Sequence, residues 1–288
     1  GMIMAAFTNQ AALTYNGVTI PSNIVTGELL ETLTITKDAL DSQYTAASSV
    51  TYIINLINSG AAALTGLTLT DNLGAYLSGG RTLTPLSYVS GTARYYVNGV
   101  AQAAPAVTAG PPLTITGLSV PAGGNATLLY EALPNQFAPL DAGRTILNTA
   151  SVSGAALPNA VEAEQTITVR REPVLRIRKA LSPASVSPGG QLTYTFTIEN
   201  TGNTPATAAE LLAVTDTFDP ILSGLTVTFN GAAWAPTTNY TYNAATGAFA
   251  TVAGQITVPA ATYTQNAATG EWSTTPGVST LTVTGTVA

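Results

Sequence analysis

The chain has 288 residues and a formal net charge of −6 from nine basic and fifteen acidic side chains, and it contains neither histidine nor cysteine. Those two absences remove disulfides, thiolate chemistry, Cys/His zinc sites and every Ser-His or Cys-His nucleophile in one step. No basic patch is available to neutralise phosphates, which argues against nucleic acid as a partner, and no cofactor motif is present.

Only 8% of residues are charged, while 26 glycines and 17 prolines punctuate runs rich in Thr, Ala and Val. That profile predicts an all-β chain of short strands and tight turns, long enough for two sandwiches with separate cores. Phe7 to Tyr15, the turn Asn16-Gly17 and Val18 to Val25 read as a hairpin. Glu28 to Lys37 then alternates apolar and polar residues as one half-buried strand.

A cassette follows that the chain writes twice. The first copy runs from Ser49 through Tyr52 to Asn58-Ser59-Gly60 and closes at Thr70-Asp71. The second runs from Gln191 through Tyr194 to Asn200-Thr201-Gly202 and closes at Thr215-Asp216. Lys37 and Lys179, the chain's two lysines, stand upstream of the two copies, and lysine and tyrosine share one offset of 142 residues (179 − 37 and 194 − 52). Such self-similarity signals repeated units.

Strands ending at Asn98-Gly99 and at Val120-Pro121-Ala122 have counterparts at Asn230-Gly231 and Val258-Pro259-Ala260. The strands Leu147 to Val152 and Thr166 to Val169 complete the first unit, and Arg170-Arg171-Glu172-Pro173 is the expected boundary. No later segment corresponds to the Asn148 strand. Its counterpart is at the other end, where Asn9-Gln10-Ala11-Ala12-Leu13 matches Asn148-Thr149-Ala150-Ser151-Val152. From that Asn to the next lysine is 28 residues in one case and 31 in the other (37 − 9 and 179 − 148). The expected organisation is a hairpin of candidate donor strands at 1–27, a first immunoglobulin-like sandwich at 28–171, and a second at 172–288 lacking its closing strands.

The motifs Lys, Thr-Tyr, Asn-Ser/Thr-Gly, Thr-Asp and Asn-Thr-Ala resemble the conserved-repeat family of bacterial surface proteins, the domain of unknown function eleven. The resemblance covers most of the chain and departs from it at the Asn strand of the second unit. It implies an immunoglobulin-like stalk or fibre domain of the adhesin and pilin kind, at a cell or spore surface. Several such domains carry an autocatalytic amide between a lysine and an asparagine, promoted by an acid. Carried over residue by residue, the bond in the first unit joins Lys37 to Asn148 with Asp71 as the acid. In the second unit Lys179 and Asp216 lack an asparagine, and either Asn9 of another molecule supplies it in a head-to-tail homopolymer, or the hairpin packs on the first unit and the second unit ends early.

The chemistry agrees. Burial disfavours a charged amine and makes it a nucleophile, a buried carboxyl is favoured in its neutral form, and fixed geometry supplies effective concentration. A plainer reading makes the lysines strand-end cations, the aspartates turn-formers and Asn148 a loop residue. Asp38/Asp41 and Asp216/Asp219 have the spacing of loop carboxylates, so no catalysis on an external substrate is expected, and Trp234 and Trp272 are expected to pack on hairpins. The alternative function is an adhesin whose loops hold a host protein or glycan. No run is long enough to span a membrane, and the N-terminal residues do not read as a signal peptide, which leaves the export route open.

Overall fold

A computed structural model of the protein describes residues 2–288, with side chains from residue 6 onward. The described residues form strands and turns, with a 3-10 turn at Ala208–Glu210 and no α-helix. No helix is long and apolar enough to cross a membrane.

Strands β1 (Met2–Tyr15) and β2 (Val18–Glu31) pair only with each other, as a long antiparallel hairpin. Its turn places Asn16 and Gly17 at φ 45° and 76°, and the Asn98-Gly99 and Asn230-Gly231 turns repeat those values closely (47° and 77°, 50° and 80°). Positive φ at both central residues is the type I′ geometry whose twist matches paired strands. The expected single strand from Glu28 to Lys37 is instead two. Pairing with β1 holds the backbone as far as Glu31, and the Thr32 carbonyl then accepts a hydrogen bond from Ser59, which starts a new sheet.

The chain divides into two units, the first comprising residues up to 139, 144–169 and 267–271, and the second 140–143, 170–266 and 272–288. In the first unit the strands are β3 (Leu33–Ala39), β4 (Gln43–Tyr44), β5 (Val50–Asn58), β6 (Leu64–Asp71), β7 (Tyr76–Ser78), β8 (Arg81–Leu83), β9 (Leu86–Tyr88), β10 (Arg94–Val97), β11 (Val100–Ala101), β12 (Ala106–Thr108), β13 (Leu113–Val120), β14 (Asn125–Pro134), β15 (Thr145–Ser153) and β16 (Val161–Val169). One sheet has the order β11-β10-β14-β5-β3, with β9 also on β14, and the other the order β12-β13-β6-β15-β16-β4. Alternate residues of each strand face inward, so Tyr52, Ile54 and Leu56 of β5 and Leu67 and Leu69 of β6 are fully buried between the sheets.

The second unit contains β17 (Leu175–Ser182), β18 (Gln191–Asn200), β19 (Thr215–Thr217), β20 (Leu222–Phe229), β21 (Ala232–Ala233), β22 (Tyr240–Asn243), β23 (Ala248–Thr251), β24 (Thr262–Gln265), β25 (Trp272–Thr275) and β26 (Gly277–Val287). One sheet runs β17-β18-β26-β20-β21 and faces a three-stranded sheet, β19-β23-β22. Phe218, Phe249 and Tyr240 fill the core between them, with Phe218 stacked on Tyr194 at 5.0 Å.

The repeated Asn-x-Gly turn is a buried clamp in both units. Asn58 Nδ2 donates to the Ala62 and Pro121 carbonyls and its Oδ1 accepts from Gly60, while Asn200 does the same with Thr204, Pro259 and Gly202. Gly202 admits no side chain, because a Cβ there would lie 2.2 Å from the Glu172 carbonyl oxygen.

One difference separates the repeats. The offset of 142 carries Leu33, Ile35 and Lys37 of β3 onto Leu175, Ile177 and Lys179 of β17. The first three are 2%, 9% and 4% exposed, but Leu175 is 38% and Ile177 51% exposed. In the first unit β16 packs across β3 and β15 pairs with β6. Among the described strands of the second unit none takes either place, so β19 is the edge of its sheet and β17 lies uncovered.

Candidate functional site

The alternation of β3 points Lys37 inward between Leu33 and Ile35 on one side and Ala39 on the other, into the core of the first sandwich. Asp71 comes from the opposite sheet at the end of β6. Lys37 Nζ lies 2.5 Å from Asp71 Oδ2, and both side chains are fully enclosed. Lys37 also donates to the Tyr130 hydroxyl at 3.1 Å, and that hydroxyl donates to Asp71 Oδ2. The other carboxylate oxygen accepts the Leu73 backbone N–H at 2.7 Å, which fixes the carboxylate plane. The amine sits over the Tyr52 ring, 4.5 Å from its centroid.

Asn148 arrives on β15, whose Ala150 is paired with Asp71. Two residues along the same strand face, it points inward with Ile146, Ala150 and Val152 and is completely buried. Neither its Nδ2 nor its Oδ1 has a hydrogen-bond partner, and the buried Tyr52 hydroxyl beside it has none of ordinary geometry either. Buried polar groups are paired in the great majority, and each one left unmade costs about 1–3 kcal/mol. A carboxamide with no hydrogen bond of ordinary geometry, sharing Tyr52 as a neighbour with the Lys37 amine and lying two residues along β15 from the partner of Asp71, therefore needs a chemical explanation.

Electrostatics shift the amine towards its uncharged form. Burial pulls the Lys37 amine below its usual range, against the opposing charge and hydrogen bond of Asp71. Burial also pushes the Tyr130 phenol well above its ordinary value, with Asp71 adding to the effect, so Tyr130 stays a proton donor. Tyr52 is raised in the same way by burial, and Asn148 opposes that rise. An isolated ion in this setting would cost several kcal/mol, whereas a proton shared between amine and carboxyl leaves no net charge.

In the second unit Lys179 and Asp216 meet in the same way, at 2.5 Å, with Lys179 Nζ 4.4 Å from the Tyr194 centroid. Here the lysine side chain is 43% and the aspartate 18% exposed. Val283 takes the place opposite Tyr194 that Tyr130 takes opposite Tyr52, so no counterpart of Tyr130 stands at that position. Asn9 stands exposed on β1. Tyr130 escaped attention in the sequence, although its alternation with Ala126, Leu128 and Ala132 already marks it as inward-facing.

Three other singled-out residues, Asp41, Asp216 and Trp234, have structural places. Asp41 Oδ1 caps a turn by accepting the Gln43 N–H, and Asp216 belongs to the lysine pair. Trp234 stacks on Phe229 at 4.9 Å across the β20–β21 hairpin. No group of His, Cys, Asp or Glu among the described residues could hold a metal ion.

No family model matches the chain, and no curated protein sequence does. Among solved structures it is similar to BcpA, the major pilin subunit of Bacillus cereus, at 14% identity and TM-score 0.36, covering 67% of this chain and 66% of that one. A C-terminal fragment of the major pilin of Streptococcus agalactiae aligns at 13% identity and TM-score 0.35, over 78% and 79%. A collagen-binding domain from a Staphylococcus aureus adhesin aligns at 13% identity and TM-score 0.31, over 46% and 96%. Alignments this loose carry no functional argument, and the resemblance to the conserved-repeat family stands on its motifs alone.

Proposed function

We propose that the chain is a structural subunit of a surface fibre or stalk whose first sandwich locks itself with an amide between Lys37 and Asn148. The observation that carries this reading is the buried Lys37–Asp71 pair together with the buried, unpartnered carboxamide of Asn148, two residues along β15 from the Ala150 that pairs with Asp71.

In the reaction the neutral Lys37 Nζ attacks Asn148 Cγ while Asp71, carrying the proton, hydrogen-bonds the carbonyl oxygen and favours the tetrahedral adduct. A proton from the attacking nitrogen passes through Asp71 to Nδ2, which leaves as ammonia. The C–Nδ2 bond breaks, the C–Nζ bond forms, and nothing is oxidised or reduced. Tyr130 holds the Asp71 carboxyl in place throughout. The chain acts on itself once, so no external substrate and no turnover are involved.

The product fits a load-bearing role. The new bond ties β3 of one sheet to β15 of the other, so the sheets cannot separate without breaking a covalent link. A chain without cysteine obtains in this way what disulfides provide in other surface proteins. Assembly of copies head to tail is part of the same reading. Proteolysis of denatured protein tests it: one branched peptide should contain both Lys37 and Asn148, and separate linear peptides for the two sites would refute it.

A further inference from the structure

In the first unit the space beside β6 and over β3 holds the β15–β16 hairpin. In the second unit the corresponding space over β17 contains a cavity of about 180 Å³ open to solvent, lined by Leu175, Arg176 and Ile177 of β17, Ile198, Ile256 and residues 212–214 leading into β19. β19 is the edge strand of its sheet, where the Thr217 N–H donates only to the neighbouring Asp216 Oδ1, and an open edge beside an apolar groove is a site for an added strand.

The same chain carries a hairpin whose described side chains are almost all exposed. Phe7, Leu13, Ile20, Ile24 and Val25 are each about half exposed or more (49%, 64%, 51%, 61% and 53%). A two-stranded hairpin is marginal in water alone, and exposed apolar surface of this extent marks an interaction site. Strand β1 also has the right side chains in the right order. Between Gln10 and Ala12 the extra residue of the register shift lies on β2, so β1 keeps its alternation. Phe7, Asn9, Ala11 and Leu13 therefore share one face, as Ile146, Asn148, Ala150 and Val152 do on β15.

We infer that the β1–β2 hairpin of a second copy of this chain fills the open edge of the second unit, and that its Asn9 is then joined to Lys179 by an amide. The inference rests on the fibre-subunit reading and names the partner. By analogy with the Ala150–Asp71 pairing, Ala11 of the second copy lies opposite Asp216. Asn9 then stands where Asn148 stands, Leu13 takes the position of Val152, and β2 covers Leu175 and Ile177. Lys179 Nζ attacks Asn9 Cγ, Asp216 carries the proton, and Nδ2 leaves as ammonia.

Seating is also the trigger. Before it, Lys179 is partly solvated; afterwards it occupies the dry environment that lowers the Lys37 amine. The bond therefore forms only with a correctly placed hairpin. Because hairpin and groove are different surfaces, the contact does not close on itself and propagates as a filament.

Two full-length variants test this. Asn9→Ala keeps a competent Lys179, and Lys179→Ala keeps a competent Asn9. On denaturing gels the unaltered chain should give a ladder, each variant alone only monomer, and their mixture a covalent dimer and nothing larger. The dimer should weigh the two chains less one further ammonia, and a branched peptide should contain Asn9 and Lys179. A ladder that survives in Asn9→Ala, or a mixture that stays monomeric, overturns the proposal. Deleting residues 2–25 should abolish assembly by size exclusion, and undiminished assembly would overturn the seating. The ammonia deficit of the Lys37–Asn148 bond is read on the monomer of each variant, so failure of that bond is distinguishable from failure of this one.

Discussion

Lys37 and Lys179 hold their aspartates at the same 2.5 Å and lie over their tyrosine rings at 4.5 and 4.4 Å, yet the first side chain is fully enclosed and the second is 43% exposed. Identical local geometry in two environments separates what the repeat encodes from what the closing hairpin adds. The repeat supplies amine, acid and ring. Strands β15 and β16 supply the carboxamide and exclude water.

That contrast predicts the cost of substitutions at equivalent positions. In an Asn148→Ala background, which removes the proposed crosslink, Ile35→Ala should destabilise the first unit by about 2–5 kcal/mol through lost packing. Ile177→Ala, at an exposed site, should stay within about 0.5 kcal/mol in urea unfolding of the monomer. Equal effects at the two sites would contradict the difference in cover.

The Asn-x-Gly clamp should be structural and not chemical. Asn200→Ala leaves the Gly202 N–H and buried carbonyls without their partner, and should cost the second unit about 1–3 kcal/mol without altering the mass deficit of the first. Urea unfolding and mass spectrometry of the same sample check both halves.

Tyr130→Phe removes a hydrogen bond to Asp71 and one acceptor for Lys37. A hydrogen bond between neutral groups contributes about 0.5–1.5 kcal/mol, so bond formation should slow by about 2–10-fold while the final product is unchanged. The fraction of chains carrying the deficit, followed with time after synthesis, gives the rate. An unaltered rate would leave Tyr130 a packing residue.

Much of this was legible before the structure. Period-2 alternation, three Asn-Gly turns and a fixed offset of 142 suffice to locate the strands and align both lysine–tyrosine pairs, because side-chain direction in a strand follows sequence position. Tyr130 was harder, since its role depends on which strand lies opposite, and 66 residues of chain (124 − 58) separate the end of β5 from the start of β14. The break at Thr32 was also hidden. Local alternation continues through it, and only the competing partners of β2 and β3 end one strand and begin another.

The pH dependence of stability separates linked from unlinked protein. The Lys37 amine titrates below its unfolded value in the folded chain, so between those two values the unfolded state binds more protons and stability rises with pH. Asn148→Ala, which keeps the free amine, should therefore gain stability as pH rises towards about 9, below the range where unfolded tyrosines ionise. The linked protein has an amide in place of the amine and should lack this rise. Melting temperatures at matched ionic strength report it, and parallel curves would count against the bond.

The most direct measurement is the intact mass of the denatured, purified monomer. The account predicts a mass one ammonia below the sequence value, restored in full by Lys37→Met or by Asn148→Ala and largely by Asp71→Asn. A monomer at the full sequence mass would contradict it.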